Sequence, residues 1–200
     1  MADESENDAI RIVMSPPILP QFKYCPECGE PVSQPLNGNP FVCSGCRYTY
    51  FFNPASAVAG IIQNEAEEIL LIRRQRDPAK GKLSLPGGFV DPGESALDAL
   101  HREIKEEVNL KVKSHQFLTS YPNQYEYRSI TYPVVDLFFL VEVANWDSLT
   151  PESAEVSEIS FQNLTPALME HIAFPSIRQA LAFYLALKNK KRDSPKTASH

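Results

Sequence analysis

Residues 87–110 read Gly87-Gly88-Phe89-Val90-Asp91-Pro92-Gly93-Glu94-Ser95-Ala96-Leu97-Asp98-Ala99-Leu100-His101-Arg102-Glu103-Ile104-Lys105-Glu106-Glu107-Val108-Asn109-Leu110. The spacing predicts a helix from about Ser95 to Val108, because Leu97, Leu100, Ile104 and Val108 recur at three- and four-residue steps as one buried stripe. At roughly 100° per residue, Glu103 and Glu107 stand about 40° apart, with Glu106 about 60° to the other side of Glu103. Three carboxylates therefore crowd one flank. Acids near the C-terminal end of a helix repel one another and oppose its macrodipole, a conflict that a hard, oxygen-seeking cation resolves. Solvated helices also carry glutamate runs, so the carboxylates alone leave both readings open.

The wider pattern decides between them. Gly88, Glu94, Arg102-Glu103, Ile104, Glu106-Glu107 and Leu110 stand at the spacing of the Nudix hydrolase signature, which the segment resembles. Asn109 stands where the family has a glycine, and after glycine asparagine best tolerates the left-handed conformation expected there. Residues 80–90 resemble the strand and loop that lead into that motif. The resemblance implies an α/β (α+β) fold, a mixed-sheet α/β/α sandwich. It also implies metal-dependent hydrolysis of the pyrophosphate bond in a nucleoside diphosphate linked to another moiety. By motif position it makes Glu103, Glu106 and Glu107 catalytic. Glu103, Glu107 and the carbonyl of Gly87 would hold magnesium or manganese, while Glu106 holds a second metal or orients water. Arg102 and Glu94 are implied to form a supporting ion pair. A further acid comes from a later segment in the family, and residues 154–161 resemble it. Glu155 is the first choice there and Glu158 the second, although both also read as exposed surface acids.

Upstream, the chain's four cysteines form Cys25-Pro26-Glu27-Cys28 and Cys43-Ser44-Gly45-Cys46. Two such pairs at this spacing predict a zinc ribbon with four thiolate ligands, and Gly29 and Gly45 are expected to permit its tight turns. A closed four-thiolate site leaves no place for water, so this zinc is expected to be structural. Two disulfides or a redox dithiol pair are the alternatives, and nothing indicates an oxidising compartment.

With 200 residues, 43% of them hydrophobic, the chain can form one core of about 130 to 150 residues plus a metal-stapled module too small to fold alone. The expected organisation is a disordered tail at 1–20, the ribbon at 21–50, the hydrolase domain at 51–189 and a second tail at 190–200. Strands are predicted at 55–63, 68–73, 83–85, 114–121, 134–143 and 156–161, and Pro122-Asn123 is read as a turn signal. The 134–143 strand is expected to be central and buried on both faces. Helices are expected to begin at Pro166 and Pro175. A net charge of −6 argues against binding nucleic acid by bulk electrostatics, with capped RNA kept as the exception. The N-terminus lacks an apolar signal region and no stretch of about 18 apolar residues occurs. A cytoplasmic protein without membrane association is expected, and a homodimer is compatible with it.

Arg73, Arg74, Arg76, Lys80 and Lys82 fit contact with substrate phosphates, or else a solvated loop. Arg73 and Arg74 are the substrate-binding candidates, with Tyr125, from a tyrosine-rich segment at 120–133, as a base-stacking one. Alternating aromatics are also ordinary in strands. A zinc ribbon ahead of this motif resembles the NADH pyrophosphatase branch, which also removes NAD caps from RNA. That branch carries a Trp-containing motif downstream of its signature. This chain has no counterpart there, and its Ser33-Gln34-Pro35 lies on the wrong side. ADP-ribose or a related ADP-linked compound is therefore the expected substrate, with NADH and NAD caps next. A non-catalytic nucleotide-sensing or protein-binding module is the alternative of another class, and the retained glutamates weigh against it.

Overall fold

The computed structural model describes residues 23–32, 39–127 and 130–193, so the expected tail at 1–20 and Ser33-Gln34-Pro35 lie outside the described residues. The chain divides into two compact units, residues 1–53 and 54–200.

In the first unit, Cys25 and Cys43 each open a turn of the same design. The amides of Gly29 and Arg47 donate to the carbonyls of Cys25 and Cys43, four residues back. Both donors have positive φ, 75° at Gly29 and 66° at Arg47. Gly29 has its expected role, whereas in the second turn Arg47, not Gly45, takes the left-handed position. Strands β1 (Phe41–Val42) and β2 (Thr49–Tyr50) pair antiparallel. Phe41 and Phe52 bury themselves with Cys25 and Cys43 in a core of four residues. So small an apolar core cannot by itself offset the entropy of ordering the chain.

The second unit is built on strands β3 (Ala55–Ile62), β4 (Ile69–Arg74) and β5 (Leu83–Ser84), then helix α1 (Ala96–Val108). There follow β6 (Val112–Tyr127), β7 (Ile130–Val143), β8 (Val156–Gln162), α2 (Pro166–Met169) and α3 (Pro175–Asp193). The strands form two three-stranded sheets, ordered β3-β7-β6 and β5-β4-β8, with β3 parallel to β7 and the other neighbours antiparallel. The two-residue period of the strands sorts their side chains between two cores. Val58, Ile62, Leu70 and Ile72 join Leu100, Ile104 and Val108 of α1, while Ile61, Ile69 and Leu71 join Ile177, Ala180 and Leu181 of α3. The result is an α/β/α sandwich. Helix α1 approaches β3 closely, since a Cβ on Gly60 would stand 2.9 Å from Ile104 Cδ1.

Helix α1 begins where its sequence predicts. Ser95 is the N-cap, its hydroxyl accepting from the Asp98 amide while the Asp98 carboxylate accepts from the Ser95 amide. Asn109 ends the helix at φ 55°, and its side-chain amide donates to the Ser148 carbonyl at 2.8 Å.

Three further expectations differ from the structure. Leu97 is 40% exposed, because in the first turn the core is continued by Ala96 and Val90 instead. Pro122-Asn123 is not a turn but lies within β6, opposite Val135 and Val134. Strand β6 is an edge strand, where a proline lacking an N–H costs no ladder bond. Helix α3 continues through Asp193, past the expected boundary at 190; residues 194–200 lie outside the described residues. No helix among the described residues is long and apolar enough to cross a membrane.

Asn109→Ala should lower the unfolding free energy by about 1–2 kcal/mol, since alanine tolerates the left-handed region poorly and loses the bond to Ser148. Asn109→Gly should cost less. Urea denaturation checks both, and an alanine variant as stable as the parent would refute the role given to the cap.

Candidate active site and metal centre

Residues 86–90 lie along β3 as an added strand: the amides of Val58 and Gly60 donate to the carbonyls of Gly88 and Pro86, and that of Val90 to Ser56. This path leaves no room for side chains at two positions. A Cβ on Gly87, whose φ is 147°, would collide with the Val58 carbonyl and stand 2.7 Å from Ala59 Cα. One on Gly88 would stand 2.6 Å from Glu103 Cδ. The glycines thus bring backbone and carboxylates together, and the Gly87 amide donates to Glu107 Oε2 at 2.8 Å.

Arg102 organises the remaining acids. Its Nε and Nη2 each donate to the Glu94 carboxylate at 2.9 Å, and Nη2 also reaches the Phe89 carbonyl at 3.0 Å. Its Nη1 donates to Glu103 at 2.8 Å and Glu106 at 3.1 Å. The bond from Arg102 holds the Glu94 carboxyl below its ordinary range, and reciprocally Glu94 raises the guanidinium's affinity for its proton. The expected crowding of acids on α1 is therefore relieved at Glu103 and Glu106 by an arginine.

Glu107 has no such partner. It is 6% exposed, and burial pushes its carboxyl up to about 8 against the opposing Gly87 amide, with Glu103 and Glu155 adding repulsion. Burial also raises Glu103, and Arg102 opposes the shift. Glu107 opens into a cleft lined by Glu155, Arg74, Arg76, Asp77 and Tyr125. Glu155 is exposed and held by Arg76 at 2.6 Å. Glu158, the second choice, pairs instead with Arg73 at 2.7 Å. Among the described residues no three of these acids bring oxygens within 4.8 Å of one another. The cleft nevertheless offers hard oxygen donors, one of them on the buried Glu107 carboxylate, and such a set could hold a divalent cation.

Of the substrate-binding candidates, Arg74 lines the cleft, donates to the Pro78 carbonyl and lies 5.2 Å over the Phe174 ring. Arg73 is tied to Glu158 and the Gly81 carbonyl. Tyr125 reaches the cleft with its ring 5.0 Å from that of Phe89. Tyr121 packs in the α3-side core and Tyr132 is exposed. Within the basic run Arg76 also lines the cleft, and β7 carries a further buried acid that no motif marks. Asp136 on β7 is 8% exposed and accepts hydrogen bonds from Asn123 and Ser176. Its sequence signal was a lone carboxylate inside an apolar strand.

In the first unit the Sγ atoms of Cys25, Cys28, Cys43 and Cys46 all lie within 4.8 Å of one another. Cys25 and Cys46 sulfurs stand 3.8 Å apart, and those of Cys28 and Cys43 3.7 Å. A tetrahedral site with metal–sulfur bonds of about 2.3 Å has edges of about 3.8 Å, so the cluster could hold zinc. All four are free cysteines. Donation from the Cys46 backbone lowers the Cys43 thiol to about 7. At Cys46 the Tyr48 amide acts downward, yet burial and the neighbouring sulfurs push the thiol up to about 12. Four thiolates this close require a cation between them.

An α/β/α sandwich whose glycine loop and glutamate helix are locked by one arginine defines a Nudix hydrolase. The NUDIX domain family matches residues 53–181, and the chain belongs to that family. Among its relatives, a protein named ADP-ribose pyrophosphatase from Methanocaldococcus jannaschii is 38% identical over 124 residues, 61% of this chain and 70% of the relative. One named NAD-capped RNA hydrolase NudC, from Pseudomonas fluorescens, is 34% identical over 50% of this chain and 36% of its own length. The chain thus spans little more than a third of that relative. A NUDIX hydrolase structure from Nitrosomonas europaea superposes with a TM-score of 0.59 at 27% identity, covering 90% of this chain and 97% of the other.

Elemental analysis should find one zinc per chain. Cys43→Ser should abolish it while the 54–200 unit keeps its thermal transition, and disulfides without zinc in protein made free of reductant and chelator would refute the site. The acidic site gives a pH signature. Because burial raises the Glu107 pKa above its unfolded value of 4.5 towards about 8, its stability contribution in ion-free protein is greatest below pH 4.5. That contribution is lost as pH rises towards 8. A divalent cation offsets the loss, so magnesium should raise the melting temperature more at pH 8 than at pH 5; an equal shift at both would refute binding at Glu107.

Proposed function

We propose that this chain is a divalent-metal-dependent hydrolase of the pyrophosphate bond in nucleoside diphosphates joined to another group. ADP-ribose or a related ADP-linked compound is the first substrate class, and NADH or an NAD cap on RNA the second. The observation that carries this reading is the cleft in which the buried Glu107 faces Glu155, Arg74 and Arg76. Carboxylates suit a cation and guanidinium groups suit phosphate oxygens, so the cleft matches a metal–diphosphate pair. The relative named for ADP-ribose, of which the chain covers 70%, supports the first class over the second.

In this reading Glu103, Glu107, Glu155 and the Gly87 carbonyl hold magnesium or manganese, which when bound neutralises charge on the diphosphate. Arg74 and Arg76 bind the phosphate oxygens and orient the scissile bond. Arg76, paired here with Glu155, lies where it could also meet a phosphate oxygen. Glu106 is 58% exposed at its side chain and orients the attacking water. Arg102 and Glu94 keep the loop and helix in register. The zinc ribbon is structural.

Glu107→Gln keeps an oxygen acceptor for the Gly87 amide but removes the charge, so it should fold normally and lose about a hundredfold or more in kcat/KM. The parent should cleave ADP-ribose with a higher kcat/KM than NADH. A variant within threefold of the parent at saturating magnesium would sink the ligand assignment, and a clear preference for NADH would reverse the order of substrates.

A further inference from the structure

Asp136 has one oxygen occupied and one free. Its Oδ2 accepts from Asn123 Nδ2 at 2.9 Å and from Ser176 Oγ at 2.5 Å. Its Oδ1 has no hydrogen-bond partner among the described residues. No fully buried side-chain nitrogen or oxygen there is left unsatisfied, so Oδ1 meets open space. That space is a cleft lined by Asp136, Asn123, Tyr125, Phe174 and Arg74. Arg74 and Tyr125 are also walls of the cleft that holds Glu107 and Glu155. The two clefts therefore adjoin, so one ligand could touch the walls of both.

A carboxylate only 8% exposed on a strand is costly unless its bonds are made. Burial raises its pKa, and the donors Ser176 and Asn123 oppose that rise by favouring the ionised form. An asparagine would satisfy both donors without the charge, so packing alone does not call for an acid here.

We propose that Asp136 reads the nucleobase, its Oδ1 accepting a hydrogen bond from the exocyclic amine of adenine while the aromatic wall of Tyr125 and Phe174 packs on the base. A carboxylate only accepts, so it selects a donor and repels the carbonyl oxygen that hypoxanthine carries at the same position. Guanine is less suited, because its parallel N1–H and 2-amine donors call for both oxygens and Oδ2 is already taken. The proposal rests on the nucleotide-hydrolase reading and assigns the base specificity of that site.

The test is calorimetric binding of AMP, IMP and purine riboside 5′-monophosphate, which lacks the amine but keeps the ring, to the full chain with magnesium. The parent should bind AMP about tenfold or more tightly than either of the others, the magnitude of a hydrogen bond to a charged group. Asp136→Asn, shown to fold by circular dichroism, keeps its oxygen on Asn123 and Ser176 and turns its amide N–H donors to the base, so it should abolish or reverse the AMP preference over IMP. Should that variant fail to fold, the comparison of AMP with purine riboside 5′-monophosphate on the parent decides by itself. In the parent, equal binding of those two, tighter binding of IMP, or no binding of any would overturn the proposal, as would an AMP preference retained in folded Asp136→Asn. AMP selectivity without turnover of ADP-ribose would uphold it and reject only the hydrolytic substrate.

Discussion

The guanidinium of Arg102 joins the parts of the site. It is bidentate to Glu94 in the approach to the helix, bonded to the Phe89 carbonyl in the loop, and bonded to Glu103 and Glu106 on the helix itself. The planar fork can satisfy several oxygens at once, as the compact ammonium of a lysine could not. Because one of these acids, Glu103, is among the groups that would hold a cation, one residue both fixes the loop and neutralises the helix. The arrangement is only partly exposed, so solvent screens it less than a surface pair.

That lock matters because the site depends on close approach. Gly60 admits Ile104, Gly87 admits the Val58 carbonyl, and Gly88 admits the Glu103 carboxylate. Helix, loop and strand thereby pack closely enough for a backbone amide to reach the buried Glu107. An oxygen ligand that must be desolvated and accurately placed needs such a frame, since water would otherwise compete for the ion.

Two buried acids meet the walls of adjoining clefts and differ in their surroundings. Glu107 has one backbone donor and acidic neighbours, an environment completed by a cation. Asp136 has two side-chain donors on one oxygen and an aromatic wall beside it, an environment completed by a neutral N–H donor. Under the proposed function the two acids would meet different parts of one ligand. In the ribbon unit the same principle applies to sulfur: a four-residue core is too small to stand alone, and four close thiols supply the missing cohesion when a cation joins them.

Local sequence determined what local physics controls. The capping box at Ser95, the left-handed Asn109, the apolar faces of β3 and β4 and the paired cysteine turns all follow from near-neighbour chemistry, and they carry the fold and the family. Tertiary structure decided what depends on distant partners. Leu97 fits the helical stripe but finds no core above it, and Pro122 looks like a turn until its strand proves to be an edge. Glu155 and Glu158 are indistinguishable by composition. Pairing of β8 with β4 sends Glu158 to Arg73, while Glu155 stays at the cleft with Glu107. Asp136 shows the same limit most clearly: its partners lie 13 and 40 residues away along the chain, so only folding brings them to one oxygen and leaves the other free.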